Sequence, residues 1–265
     1  MRISPYHRPL RLTAVDGILF GMKVRVIPFG VLKDRLSAAE VELPQGATVA
    51  QLLEDLGRKL PAASLQGIAV GVNAEYATAS HVLREGDEVG LLPPVSGGSD
   101  TLTTNASGED STGVVFLTRD VIEADKLVAA SKHGEDGAVV VFDGIVRNNS
   151  RGRRTLYLDY EAYEEMALRQ MKELASEARS RFGVRYATIA HRLGRLEIGE
   201  TSVLIVVASA HRGQAYEASR WVIDTLKKTV PIWKKEIFVD GAVWADGEPF
   251  PAEIALAPAE VPRNE

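Results

Sequence analysis

The sequence of 265 residues contains no cysteine. This absence excludes a disulfide framework, zinc or iron–sulfur sites ligated by cysteine, and a cysteine nucleophile. If the protein performs sulfur chemistry, a side-chain thiol therefore does not carry the sulfur.

Long apolar runs and an excess of one charge are also missing. No stretch approaches the roughly 20 apolar residues that span a bilayer, and the N-terminus has no apolar segment of the signal-peptide type. The 31 basic and 36 acidic residues give a net charge of -5, which offers no general electrostatic case for a nucleic-acid partner. We expect a cytoplasmic protein without membrane or nucleic-acid partners, in which any anion site is local.

Length and composition allow two domains, since 45% of the residues are hydrophobic. Residues 1–21 mix Arg, Pro and His without clear periodicity, whereas an alternating strand pattern begins at Met22. We expect residues 1–21 to be a disordered extension or an artefact of the start-site choice, with Met22 as the functional start. Glycine-rich turns with the spacing of a P-loop or a dinucleotide site are absent.

Residues 22–98 have the pattern of a small α+β domain. Alternation and turn signals predict strands over residues 23–29, 39–43, 68–73 and 88–92, and a helix over 49–60 that Thr48 caps. This order of two strands, a helix and further strands is that of the ubiquitin-like β-grasp roll.

The segment after the last strand of this domain contains two prolines and then Gly97 and Gly98. Taken alone, Ser-Gly-Gly-Ser is typical of a flexible linker. The same residues also suit a carrier whose terminal carboxyl reacts, because prolines stiffen the exit and glycines pass through a narrow tunnel. Residues 99–113 are polar and cannot build a core, so we interpret them as a linker.

A second domain is predicted over residues 114–256, followed by a tail over 257–265. The predicted strands cover 114–118, 137–142, 157–163, 184–192 and 202–210, and the predicted helices cover 122–132, 164–182 and 216–229. Strands and helices mixed in this way favour an α/β sandwich over a strict βαβ winding. The whole chain is therefore predicted to be α+β, with a flexible linker between its two domains.

Polar groups follow the most apolar strands of the second domain. Arg147 comes after one strand, and His211 and Arg212 come after another. A single arginine at a strand end is most often a surface ion-pair partner, whereas three such groups in one pocket would suit a phosphate. The arginines at 151, 153 and 154 are interpreted as part of a solvated loop.

Lysines form a second group near the end of the last helix. A lysine at position 227 needs no catalytic role to explain it, because the helix dipole favours cations at a helix C-terminus. Lys234 follows seven residues later, but Pro231 prevents one continuous helix from aligning the two. If the fold brings them together, Ile232 and Trp233 could supply the apolar wall that lowers the pKa of a lysine.

Several separated motifs resemble the two subunits of molybdopterin synthase. Gly86-Asp87-Glu88-Val89, Pro93-Pro94-Val95 and Gly97-Gly98 are similar to the small, sulfur-carrying subunit, which is a β-grasp protein. The second domain resembles the large, catalytic subunit through Phe142 to Asn148, Ser209 to Arg212, and Leu226-Lys227 with Pro231 to Glu236. The second resemblance extends from Val114 to about Pro251.

This resemblance implies roles for individual residues. Lys227 and Lys234 match the two functional lysines, and Gly98 matches the sulfur-carrying terminus. The substrate-binding segments match Ile145, Val146, Arg147, His211, Arg212, Lys235 and Glu236. For the other His-Arg pair, His191 and Arg192, we expect a structural role, and we expect no metal site.

The resemblance also implies a reaction and its partners. An ATP-dependent activating enzyme would adenylate the terminal glycine and convert it to a thiocarboxylate. That group would then give sulfur to cyclic pyranopterin monophosphate and so build the dithiolene of molybdopterin, without a tightly bound cofactor. Large subunits of this family form dimers, so a homodimer through the second domain is expected.

The chain departs from the family pattern after Gly98, because a peptide bond joins this residue to Ser99. Gly98 has no free carboxylate until that bond is cut, so we expect a processing protease to cleave it. Two alternatives remain at this point. The chain could be a ubiquitin-like binding or conjugation module fused to a non-catalytic anion-binding domain, or an uncleaved scaffold for separate synthase subunits.

Overall fold

The computed structural model describes residues 21–58, 65, 67–95, 112–245, 250–251, 254 and 256. The chain divides into two compact units, and the last residues return to the first of them. The first unit comprises residues 1–94 and 252–265, and the second comprises residues 95–251. The predicted extension over 1–21 lies outside the described residues apart from Gly21, as do both glycines of the tail and most of the predicted linker.

The described residues of the first unit form a five-stranded sheet, one α-helix and a short 3-10 helix (Gly30–Asp34). Its strands are β1 (Gly21–Pro28), β2 (Ala39–Pro44), β3 (Ala69–Val72), β4 (Glu75–Ala77) and β5 (Glu88–Leu92), in the order β2-β1-β5-β3-β4. β1 and β5 are parallel and adjacent, whereas the other neighbours are antiparallel. This topology, together with the family comparison below, confirms the predicted β-grasp fold.

Local sequence determines the helix of this unit, α1 (Val49–Gly57). The Thr48 hydroxyl accepts a hydrogen bond from the Gln51 backbone N–H, and the Gln51 side chain accepts one from the Thr48 N–H. This reciprocal pair is a capping box, which fixes where the helix begins. Val49, Leu52 and Leu56 then lie on one buried face that packs into the core of the first unit.

The second unit contains two sheets. One has the strands β6 (Val115–Thr118), β7 (Ala138–Ile145), β10 (Tyr186–Arg192) and β12 (Thr201–Ser209), in the order β6-β10-β12-β7. The other is formed by β9 (Arg153–Ala162), β11 (Gly194–Glu197), β13 (Ile232–Phe238) and β14 (Gly241–Trp244), in the order β11-β9-β13-β14, and β8 (Asn149–Ser150) pairs with β9.

Helices cover both faces of the first of these sheets. α3 (Glu164–Phe182) and α4 (Arg212–Thr229) pack on one face, and α2 (Ala124–Ser131) packs on the other. On β12, Val203, Ile205 and Val207 belong to the core under α3 and α4, while the alternate side chains belong to the core under α2. A central strand buried on both faces needs a continuous apolar run, which is why residues 203–208 are so hydrophobic.

Several boundaries and elements differ from the sequence expectations, and β4, β8 and β11 are among the strands that were not predicted. β7 continues through Asp143-Gly144 to Ile145, and α4 begins at Arg212 rather than near residue 216. β13 and β14 were not predicted, because Pro231 and the charged residues after it obscured the alternation. Among the described residues, no helix is long and apolar enough to cross a membrane.

The basic run over residues 147–154 is also more ordered than predicted. Arg151 and Gly152 form a turn with positive φ between β8 and β9. Arg153 lies in β9, where it hydrogen-bonds to Asp240 at 2.6 Å and stacks 3.8 Å from the centroid of the Phe238 ring. The interpretation of Arg153 as part of a solvated loop was therefore wrong, because a carboxylate and an aromatic ring hold it.

Candidate functional site

A cavity of about 340 Å³ lies in the second unit, where side chains of both sheets meet the last turn of α4. Its lining contains Phe142, Gly144, Ile145, Arg147, Thr155, Tyr160, His191, Ser202, Lys227, Lys234 and Glu236, among others. The lining therefore combines an apolar floor with an unusual number of charged and hydrogen-bonding groups.

Among the described residues, three cations and one anion line this cavity. Arg147 follows β7, Lys227 lies in the last turn of α4, and Lys234 lies on β13. The anion is Glu236, whose Oε1 is 3.1 Å from Lys234 Nζ, and both of these side chains are largely buried. The opposite charges of Lys234 and Glu236 cancel, so Arg147 and Lys227 give the cavity an excess of positive charge.

Strand alternation explains how β13 presents its charged residues. Side chains point to opposite faces in turn along a strand, so Lys234 and Glu236 reach the cavity together with Ile232. Lys235 lies on the other face, where its Nζ is 5.2 Å from the centroid of the Trp244 ring. The two adjacent lysines are thus separated by the strand itself.

Buried His191 and partly buried Tyr160 form a polar pair in the lining. Their ring centroids are 5.1 Å apart at an interplanar angle of 71°, an edge-to-face arrangement. Burial lowers the pKa of His191 to about 4, although the bond to the Arg192 carbonyl opposes this. Burial likewise raises the pKa of Tyr160.

The tautomer of His191 follows from this environment. Its Nδ1 is 2.9 Å from the Arg192 carbonyl oxygen, which can only accept a hydrogen bond. Since the ring is neutral at neutral pH, Nδ1 carries the proton and Nε2 is an acceptor. The site therefore contains a fixed acceptor that does not titrate near pH 7.

A β-bulge shapes the wall beside this pair. Thr201 pairs with Ile145 and Val203 pairs with Gly144, so Ser202 is the extra residue on β12. The Ser202 hydroxyl donates a hydrogen bond of 2.7 Å to the Gly144 carbonyl. A Cβ on Gly144 would lie only 2.6 Å from Val203 Cγ1, so this close approach requires glycine.

The fold brings five of the predicted site residues together: Ile145, Arg147, Lys227, Lys234 and Glu236 all line the cavity. Val146 does not line the cavity but is buried beside it, in a small apolar cluster with Leu196 and with Leu158, which does line it. Gly97 and Gly98 lie outside the described residues, so the position of the tail stays a prediction.

His211 and Arg212 do not reach the cavity of their own chain. His211 is the N-cap of α4 and Arg212 its first residue, whereas Lys227 is in the last turn. Lys227 lies fifteen residues after Arg212 on this helix, which is about 22 Å along the axis at 1.5 Å per residue. Both side chains are exposed at the opposite end of the helix.

Sequence reasoning did not select Tyr160, Ser202 or His191 for the site. A histidine within a strand as apolar as 184–192 was the one available signal for His191, and it was assigned a structural role. Its neighbour Arg192 does have a structural contact, an ion pair of 3.0 Å with Glu200.

Two further polar side chains of this unit are buried without a described hydrogen-bond partner. Among the described residues, Thr155 Oγ1 and Lys228 Nζ are buried without a hydrogen-bond partner, and Thr155 lines the cavity. The described part of the chain contains no group of three or more His, Cys, Asp or Glu side chains that could hold a metal ion.

Comparisons with known proteins match the two parts of the chain to two different families. Residues 117–229 match the MoaE protein family, and residues 26–98 match the ThiS family. The molybdopterin synthase catalytic subunit of Pyrococcus abyssi is 44% identical over 126 residues, which cover 48% of this chain and 83% of that relative. The subunit of the same name from Thermoplasma volcanium is 43% identical over 131 residues, covering 49% of this chain and 95% of the relative.

A solved structure is also similar. Molybdopterin synthase from Staphylococcus aureus is 37% identical, and the match covers 52% of this chain and 98% of that chain with a TM-score of 0.47.

Proposed function

The chain belongs to the family of molybdopterin synthase catalytic subunits, enzymes of molybdenum cofactor biosynthesis, and carries a ThiS-family domain ahead of that part. From this premise we propose that the chain transfers sulfur from a thiocarboxylate at Gly98 to cyclic pyranopterin monophosphate. The observation that carries the proposal is the cavity lined by Arg147, Lys227 and Lys234 with a single carboxylate.

The charge of the cavity supports an anionic substrate. The whole chain has a net charge of -5, so a local excess of cations is a specific feature of this site. Guanidinium and ammonium groups form charge-assisted hydrogen bonds with phosphate oxygens. Both reactants of the proposed step, a phosphate ester and a thiocarboxylate, carry negative charge.

The two lysines differ in how they are held. Glu236 fixes the Lys234 ammonium at 3.1 Å, whereas Lys227 is exposed and has no ion pair among the described residues. We assign Lys234 to a fixed position beside the reacting sulfur, where it stabilises developing negative charge. Lys227 is assigned to the incoming carrier tail and to proton transfer.

His191 and Tyr160 are assigned to the neutral part of the substrate. The fixed tautomer of His191 offers an acceptor, and the Tyr160 hydroxyl, whose pKa burial raises, stays protonated. Neutral donors and acceptors recognise the amide-like edges of a pterin ring without adding charge to the site.

The positions of His211 and Arg212 support a homodimer. These residues cannot act in their own chain's cavity, because α4 separates them from Lys227. A second copy that presents the N-terminus of its α4 to this cavity would complete the set of cations. In a symmetric dimer the same contact occurs twice, so each chain would serve the other.

The ThiS-family domain is assigned the role of sulfur carrier. Its tail requires a protease to release Gly98 and an ATP-dependent enzyme to activate the resulting carboxylate. No tightly bound cofactor enters this scheme, since the sulfur arrives on the protein itself.

The lysine assignment is tested by substitution. We expect Lys227→Ala or Lys234→Ala to lower conversion of the pterin precursor by at least about 100-fold, because preorganised charge at the reacting atoms is lost. Lys172→Ala, at an exposed position of α3, is the matched control and should convert normally. Near-normal turnover of a correctly folded Lys227 or Lys234 variant would contradict the assignment.

The homodimer is tested by complementation between two inactive chains. If Lys227 and Arg212 of one site come from different copies, mixing Lys227→Ala and Arg212→Ala chains restores about a quarter of the parent activity, since half of the dimers are mixed and each has one intact site. If both residues act within one chain, every site in the mixture keeps a defect, and activity stays at the level of the separate variants.

A further inference from the structure

The chain does not end within the second unit. After Pro251 it passes to residues that belong to the first unit, which comprises residues 1–94 and 252–265. The C-terminal segment of the catalytic half is therefore part of the compact unit of the carrier half. This connection is independent of the predicted linker over residues 99–113.

Leu256 provides the described contact of this segment. Its backbone N–H donates a hydrogen bond of 3.1 Å to the carbonyl of Ile68, which directly precedes β3. Its side chain is partly buried and packs against the core cluster of the first unit, to which Ile68 and Leu65 also contribute. A main-chain hydrogen bond together with an apolar anchor is a recurring way in which a peptide docks on a small domain.

We propose that the segment around Leu256 is a clasp by which the catalytic fragment retains its own carrier after the Gly98–Ser99 bond is cut. The proposal rests on the proposed function, because only a cleaved chain needs such a contact. Cleavage removes the covalent linker but leaves the path from Pro251 to Leu256 intact.

The clasp has a functional consequence. While the chain is uncut, the linker keeps carrier and catalytic domain at a high effective concentration. After cleavage the clasp takes over this role, and because it is non-covalent it is reversible. The carrier can then leave to be recharged with sulfur and return to the same catalytic fragment.

The test measures the strength of the clasp without relying on natural cleavage of the chain. A site for a sequence-specific protease is inserted between Gly98 and Ser99 of the full chain, the purified protein is cut, and the dissociation constant of the two fragments is measured by sedimentation velocity over a dilution series. We expect Leu256→Asp to raise this constant at least tenfold. Val239→Asp, at a residue of the second unit that is 77% exposed, should leave it unchanged.

A second variant guards against misfolding. The chain that ends at Pro251 lacks the whole segment, and after cutting it should release its carrier as readily as Leu256→Asp does. The proposal is overturned if the cut parent chain separates as easily as these variants, or if the variants retain the carrier with an unchanged constant. Absence of natural cleavage would instead contradict the proposed function and leave the result on the cut chain valid.

Discussion

The burial of His191, which lines the cavity, makes the stability of the protein depend on pH. The folded protein holds its imidazole neutral down to about pH 4, whereas the unfolded chain binds a proton near the ordinary value of 6.5. Between these values the unfolded state binds more protons, so stability rises with pH and is lost as the pH falls from 6.5 towards 4.

We therefore expect His191→Gln to flatten the pH dependence of unfolding. Over this range the parent chain should lose about 3 kcal/mol more than the variant, since one pKa unit corresponds to about 1.4 kcal/mol. Calorimetric unfolding of both chains at several pH values checks this. His191→Phe must show the same flattened profile, and parallel profiles for all three chains would contradict the burial argument.

At the residue scale, the sequence could identify the lysines but not their orientation. Lys234 and Lys235 are adjacent and chemically identical, and only the pleat of β13 decides that the first reaches the cavity. Because β13 was not predicted, this distinction could not be made. Val146 was likewise grouped with its neighbours, although it is buried in a small apolar cluster and does not line the cavity.

At the scale of elements, the bulge at Ser202 and the end of β7 determine the shape of the cavity wall. Gly144 lets Val203 approach closely, and its carbonyl accepts the Ser202 hydroxyl. A bulge next to a site redirects side chains that a regular ladder would point elsewhere.

Gly144→Ala should therefore damage both stability and the site. The added methyl group would lie 2.6 Å from Val203 Cγ1 and 3.3 Å from Phe142 Cε1, so we expect a loss of about 1–3 kcal/mol. Gly134→Ala has no atom within 4 Å of its new Cβ and should change stability by less than about 0.5 kcal/mol. Thermal unfolding of the two variants compares them directly, and equal midpoints would show that the close approach is unimportant.

For helix α4, hydrophobic periodicity predicted the end of the helix correctly but not its start. Its apolar face predicted a helix that ends at Thr229, but the start was placed four residues too late. The missing turn contains Arg212, and it fixes the separation of about 22 Å between that residue and Lys227. Sequence order had suggested one shared pocket, whereas the helix places Arg212 and Lys227 at its opposite ends.

At the scale of the whole molecule, the fold class and the two-part organisation were predictable from the sequence. Alternation in β1, the capping box at Thr48 and the apolar run of β12 are local patterns with a direct physical meaning. The cavity was not predictable in the same way, because its residues come from strands that are distant in sequence. The return of Leu256 to the first unit had no sequence signal at all.

Because the two domains are translated as one chain, the steps of the proposed cycle have a fixed order. In the translated chain Gly98 is an internal residue without a free carboxylate, so in the proposed cycle the two halves are made in equal amounts before any sulfur is transferred. In this cycle we propose that cleavage creates the reactive terminus and that the clasp around Leu256 then keeps the carrier available. Each stage predicts a different covalent state of residues 97–99.

The intact mass of the N-terminal fragment, measured on protein isolated from cells that make molybdenum cofactor, tests this account most directly. The account predicts a fragment that ends at Gly98, in a form heavier than the free acid by the difference between one sulfur and one oxygen atom. An uncut chain of 265 residues as the sole species in such cells would contradict it.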